Sequence, residues 1–67
     1  MDFTIGELVE VAIPDSFMDG IRGRIDYVDV LSDGLAFAIR DKDGMLWGGL
    51  RDSQLRPVKP GRPRGDA

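Results

Sequence analysis

The sequence predicts a small all-β domain, and three observations support this prediction. Glycines interrupt the chain every few residues from position 20 to position 49, which is unfavourable for helices and typical of strands joined by turns. No stretch of ten residues shows the apolar period of an amphipathic helix. The 67 residues permit a single domain with a thin core, because a chain this short buries only about 60% of its unfolded surface.

A first strand is predicted at 7–13. Val9, Val11 and Ile13 alternate with other residues in this segment, so one face of the strand should be buried. Pro14 ends it, because proline has no N–H to donate to a neighbouring strand.

A loop at 14–20 and a second strand at 22–30 follow. The apolar residues of this second strand change from one parity to the other part-way along it. A β-bulge near Asp26 or Tyr27 would bring both sets onto one face, and bulges are common where a small sheet bends.

The remaining predicted elements are short. In chain order they are a turn at 31–34, a third strand at 35–40, a turn at 41–44, a fourth strand at 45–50, one helical turn at 52–55 and a fifth strand at 56–58. The Asp-Gly pair that ends the second turn is typical of a tight hairpin. Pro57 places the last strand at an edge.

A core is predicted from these strands. In the third strand, Leu35, Phe37 and Ile39 are expected to face inward and the two intervening alanines outward. The residues expected to be mostly buried are Val9, Val11, Ile25, Val28, Phe37, Ile39, Leu50 and Leu55.

Four segments resemble parts of the SH3-like barrel. They are the opening "GELVEV" (6–11), the KOW-type core "GIRGRIDYV" (20–28), the strand and turn "FAIRDKDG" (37–44) and the closing turn "LRDSQLRPV" (50–58). The resemblance implies a single five-stranded SH3-like barrel at 1–58, with a short 3-10 turn before the last strand. In length and layout the chain is similar to small phage-encoded SH3-like proteins of unknown role.

Composition narrows the function classes. The chain has no cysteine and no histidine, so it lacks disulfides, thiolate metal sites and the commonest general base. We therefore expect no enzymatic activity, no cofactor and no metal. Without a long apolar run or a basic leader we also expect no membrane association and a cytoplasmic protein.

Charge is distributed unevenly along the chain. The net charge of −3 combines a balance of −6 in residues 1–50 with a balance of +3 in residues 51–67. The segment 59–67 contains prolines, glycines and no large apolar residue, so it is predicted to be a flexible basic tail.

Exposed aromatics provide the leading functional hypothesis. Tyr27 and Trp47 are expected to face outward, because Tyr27 lies at the suspected bulge and glycines follow Trp47. Phe17, in the long loop, could complete an aromatic site. In this fold such residues often bind peptides, so the resemblance implies a non-enzymatic module for a protein partner. The alternative is that Trp47 only covers one end of a small core.

Two other functions stay open. A KOW-type, nucleic-acid-associated module would use the basic residues near the C-terminus, which are Arg51, Arg56, Lys59, Arg62 and Arg64. The acidic balance of the predicted barrel argues against direct nucleic-acid binding. A small acidic phage-type inhibitor of host machinery would instead use Asp26, Asp29 and Asp33 in place of phosphates. The oligomeric state is not predicted.

Overall fold

A computed structural model describes residues 3–58, which form one antiparallel sheet of five strands. The elements are β1 (Leu8–Val11), β2 (Arg22–Leu31), β3 (Gly34–Asp41), β4 (Leu46–Leu50), a 3-10 turn (Asp52–Gln54) and β5 (Leu55–Pro57). The order of strands across the sheet is β4-β3-β2-β1-β5. The all-β prediction is confirmed, and the five strands and the 3-10 turn follow one another in the predicted order. The predicted tail, 59–67, lies outside the described residues.

A bulge in β2 occurs where the change in parity predicts one. Ile25 pairs with Ile39, but Tyr27 pairs with Ala38, so Asp26 is an extra residue in β2. The extra residue turns Tyr27 to the face of the sheet opposite Ile25 and brings the later Val28 back to the core side.

A second irregularity, in β4, was not predicted. Phe37 pairs with Leu50 and Ile39 pairs with Trp47, so two residues of β3 span three of β4. Gly48 and Gly49 provide the extra residue, and Gly49 adopts a φ of 72°, which glycine reaches without strain. As a result Trp47 and Leu50 lie on the same face although they are three residues apart.

The core lies on one face of the sheet and confirms most of the predicted set. Its buried members are Phe3, Val9, Val11, Ile25, Phe37, Ile39, Leu50 and Leu55. Val28 is only partly buried against this cluster. Phe3 was not predicted, and its ring packs edge-to-face on Phe37 with centroids 5.8 Å apart.

The prediction for β3 was wrong at Leu35, which is 40% exposed. Leu35 pairs with Val30 near the tip of the β2–β3 hairpin. Pairing of β4 with β3 begins only at Phe37, so β4 does not reach the hairpin tip and cannot cover Leu35. The prediction that the alanines of β3 face outward was wrong about their exposure, because Ala36 and Ala38 lie outside the core cluster but are both buried.

Gly23 lies in the middle of the sheet, paired with Val9 on one side and with Asp41 on the other. A Cβ on this residue would lie 2.6 Å from the carbonyl oxygen of Arg40. Gly20, three residues earlier, has a φ of 89°. The Gly-x-x-Gly pattern therefore has a complete structural explanation, in a turn and a close backbone approach.

Substitution of Gly23 by alanine should destabilise the protein by roughly 2–3 kcal/mol, because the carbonyl of Arg40 belongs to a paired strand and must move. The matched control is Gly48→Ala, whose new methyl would lie 3.9 Å from the nearest atom, an ordinary contact. Urea denaturation measures both free energies of unfolding. Equal stability of the two variants would contradict the close approach at Gly23.

Candidate functional site

The loop 14–20 between β1 and β2 is held by hydrogen bonds at both ends. The backbone N–H of Ile13 donates to the carboxylate of Asp19 at 2.9 Å. The N–H of Gly20 donates to the carbonyl of Val11 at 2.8 Å. The loop therefore has a defined shape, which fixes the position of the side chains it carries.

Phe17 projects from this loop, and its side chain is 84% exposed. The next residue, Met18, packs against the core, and its N–H donates to the hydroxyl of Ser16 at 3.1 Å. The loop is thus anchored beside Phe17 while the Phe17 ring itself remains open to solvent.

Phe17 and Trp47 form an aromatic pair. Their ring centroids are 6.0 Å apart and the ring planes are inclined at 55°. The prediction that Trp47 faces outward was wrong, because Trp47 lies on the core face of the sheet, where it is half-buried and packs against the core. It therefore both covers the edge of the core, as the alternative hypothesis proposes, and supports an exposed ring, as the leading hypothesis requires.

The carboxylate of Asp41 fixes Trp47. The indole N–H of Trp47 donates to Oδ2 of Asp41 at 3.0 Å, while Oδ1 accepts the backbone N–H groups of Asp43 and Met45, each at 2.9 Å. The bond from Trp47 holds the pKa of Asp41 below its usual value of 3.8, and partial burial opposes this effect. One ionised side chain thus closes the β3–β4 turn and orients the indole.

Tyr27 does not join the aromatic pair. Trp47 pairs with Ile39, whereas Tyr27 pairs with the adjacent residue Ala38. Consecutive residues of a strand point to opposite faces, so Tyr27 lies on the other side of the sheet, where it is 41% exposed. A methyl group on Gly48 would lie 3.9 Å from its hydroxyl oxygen. The three predicted aromatics are therefore divided between two faces.

The candidate basic residues that the structure describes are both in ion pairs. Arg51 donates to Asp33 at 2.9 Å, and Arg56 donates to Glu10 at 2.9 Å. These bonds lower the pKa of the Asp33 carboxyl and the pKa of the Glu10 carboxyl from their usual values. The remaining candidates, Lys59, Arg62 and Arg64, lie outside the described residues.

The predicted acidic set is partly neutralised as well. Asp26 lies 3.5 Å from Arg40, and Asp33 is bound by Arg51. Within residues 3–58, Asp29 has no such partner. Two of the three carboxylates are therefore shared with the protein's own guanidinium groups.

An open groove of about 770 Å³, lined by β1, β2 and the β3–β4 turn, was missed by the sequence analysis. We call it the basic groove because four cationic side chains line it, those of Arg22, Arg24, Arg40 and Lys42. The alternation of Arg22 and Arg24 is a signal that could have indicated one face of a strand. Only the pairing of strands shows that Arg40 joins them.

Other site types find no support in the described part of the chain. Among residues 3–58, no three or more acidic side chains come together in a way that could hold a metal ion. Over the same residues, no helix has the length and apolar character needed to cross a bilayer.

Comparisons of this chain with protein-family models, with curated proteins and with solved structures found no match.

Replacement of Asp41 by asparagine should lower the melting temperature at neutral pH. An asparagine that still accepts from the turn would present its NH₂ group to the indole N–H, donor against donor. Asp43→Asn is the matched control, because only the backbone of Asp43 takes part in these bonds. Fluorescence of the single tryptophan should shift to the red in Asp41→Asn alone.

The same pair of variants should respond differently to acid. A carboxyl whose folded pKa is lowered stabilises the fold fully above its unfolded value, and this stabilisation is lost as the pH falls through the folded pKa. The difference in melting temperature between wild type and Asp41→Asn should therefore shrink as the pH falls below 3.8. A constant difference down to low pH would show that the ionised carboxylate is not the stabilising group.

Proposed function

We propose that this chain is a non-enzymatic binding module that holds a segment of a protein partner on the aromatic pair. The observation that carries this proposal is the position of Phe17, whose ring is 84% exposed yet lies against Trp47 from a hydrogen-bonded loop. Large exposed aromatics with a fixed support are typical anchors of binding surfaces.

The side chains of the aromatic pair would need little rearrangement when a partner binds. Trp47 is fixed by Asp41 and by the core, and the loop beside Phe17 is anchored through Met18. A partner would therefore have few protein side chains to order, which is a main cost of association. An apolar or aromatic side chain of the partner placed beside both rings would bury surface that is now wet.

The strand order supports a related proposal about the fold family. Five antiparallel strands in the order β4-β3-β2-β1-β5, with a 3-10 turn just before β5, are consistent with an SH3-like barrel. The glycines of the KOW-type motif hold positions that suit this proposal, one in a turn and one at a close approach of strands. The likeness in length and layout to small phage-encoded SH3-like proteins, whose role is unknown, belongs to the same proposal.

The other function classes receive less support. Arg51 and Arg56 are occupied by carboxylates, which weakens the nucleic-acid hypothesis based on the C-terminal basic residues. The 2.9 Å ion pair of Asp33 with Arg51 likewise weakens the phosphate-mimic hypothesis. Asp41 accepts three hydrogen bonds within its own hairpin, which argues for a structural rather than a catalytic carboxylate.

Selection from a displayed library of random dodecapeptides tests the proposal. Recovered peptides rich in apolar or aromatic side chains should bind Phe17→Ala about tenfold or more weakly than they bind wild type, because an aromatic anchor typically contributes more than about 1 kcal/mol. Tyr27→Ala is the matched control, an exposed aromatic on the opposite face that should leave affinity unchanged. Fluorescence titration gives the dissociation constant of each variant.

Two outcomes would contradict the proposal. One is recovery of apolar or aromatic peptides whose affinity is the same for wild type and Phe17→Ala, whereas acidic peptides that are insensitive to Phe17 do not bear on this site. The other is a loss of affinity confined to Tyr27→Ala, which would place the site on the other face of the sheet.

A further inference from the structure

We propose that the basic groove is a second binding site, which takes a carboxylate-rich peptide segment. The groove is lined by four cationic side chains, and the sequence as a whole carries a net charge of −3. The site is therefore opposite in sign to the net charge of the protein. The pairing of strands, rather than the overall composition, brings these cations together.

The central feature of the groove is a pair of like charges. Arg24 and Arg40 are direct partners in the pairing of β2 with β3, so their side chains leave the same face of the sheet side by side. Like charges at directly opposed positions are destabilising. Asp26 offsets part of this repulsion from 3.5 Å beside Arg40. An anion bound between the two guanidinium groups would offset more of it, which is the physical reason to expect one there.

The cations of the groove retain capacity for a ligand. Within residues 3–58, neither Arg24 nor Lys42 forms a salt bridge, and Arg24 donates only to the carbonyl of Gly6 at 3.0 Å. Arg40 reaches Asp26 only at 3.5 Å and otherwise donates to the carbonyl of Gly44. The carboxylates of a ligand could therefore accept bonds from these three cations without displacing a short ion pair.

The lining favours a peptide over a nucleic acid. Three carboxylates, those of Asp26, Asp41 and Asp43, share the groove with its four cations, which leaves a balance of only +1. A phosphodiester backbone carries a charge at every nucleotide and would meet these carboxylates. A peptide can place carboxylates beside the cations and uncharged side chains elsewhere, including against the apolar lining of Leu8 and Ile21.

This site is separate from the aromatic pair in its ligand chemistry, although Asp41 contributes to both. The aromatic pair would take apolar side chains, whereas the basic groove takes carboxylates. The proposal does not depend on the proposed function, and each can fail alone. Phe17 does not line the groove, so Phe17→Ala should leave acidic-peptide binding unchanged.

Titration of the ¹⁵N-labelled full chain with hexaglutamate, followed by NMR, tests the inference. At low ionic strength, amide signals of 20–26 and 40–43 should shift, and affinity should fall with added salt. Lys42→Gln and Arg24→Gln should each weaken binding about three- to tenfold. Arg51→Gln, which removes the same charge outside the groove, is the matched control and should bind as wild type does.

Lys42→Gln keeps the test sound if Arg24→Gln fails to fold, because Lys42 makes no hydrogen bond or salt bridge within the described part of the chain. The inference is overturned if no amide shifts at about 5 mM hexaglutamate, a concentration that detects even millimolar binding. It is also overturned if Lys42→Gln and Arg51→Gln bind equally. Tighter binding of an oligothymidylate than of hexaglutamate would reject the peptide and assign the groove to nucleic acid.

Discussion

The hydrogen bonds accepted by the carboxylate of Asp41 hold the hairpin on which the aromatic pair depends. The two carboxylate oxygens accept the N–H groups of Asp43, Met45 and Trp47, all within one hairpin. The first two bonds close the turn between β3 and β4, and the third fixes the indole against the core. Phe17 then packs on that indole from the opposite loop. A single ionised group thus connects the turn, the core edge and the exposed aromatic ring.

The same residue lies at the boundary between two surfaces of different chemistry. On one side is the aromatic pair, and on the other is the basic groove, whose cations come from β2, the end of β3 and the β3–β4 turn. In a small domain with a thin core, few side chains are free from structural duties. The exposed ring of Phe17 and the directly paired Arg24 and Arg40 belong neither to the core cluster nor to a short ion pair, which is why both surfaces are proposed as binding sites.

Much of the fold was predictable from local patterns, but the faces of the strands were not. Alternating apolar residues and glycine positions predict five strands, and the parity change in β2 predicts its bulge at Asp26. The bulge at Gly48 and Gly49 was missed, although a glycine pair inside a strand is a signal of one, and it decides that Trp47 faces the core. Each bulge exchanges the two faces of the strand for the residues beyond it, so the prediction that Tyr27 and Trp47 share one site was wrong. The basic groove depends on strand register, which charge counting along the chain does not reveal.

The central claim is that the aromatic pair is already formed in the free protein. NMR of the unliganded chain tests it most directly, through nuclear Overhauser effects between ring protons of Phe17 and Trp47, whose centroids lie 6.0 Å apart. The account predicts clear cross-peaks between the two rings, together with slowed exchange of the indole N–H that Asp41 accepts. Absence of these cross-peaks, with an indole N–H that exchanges as fast as in a free peptide, would contradict it.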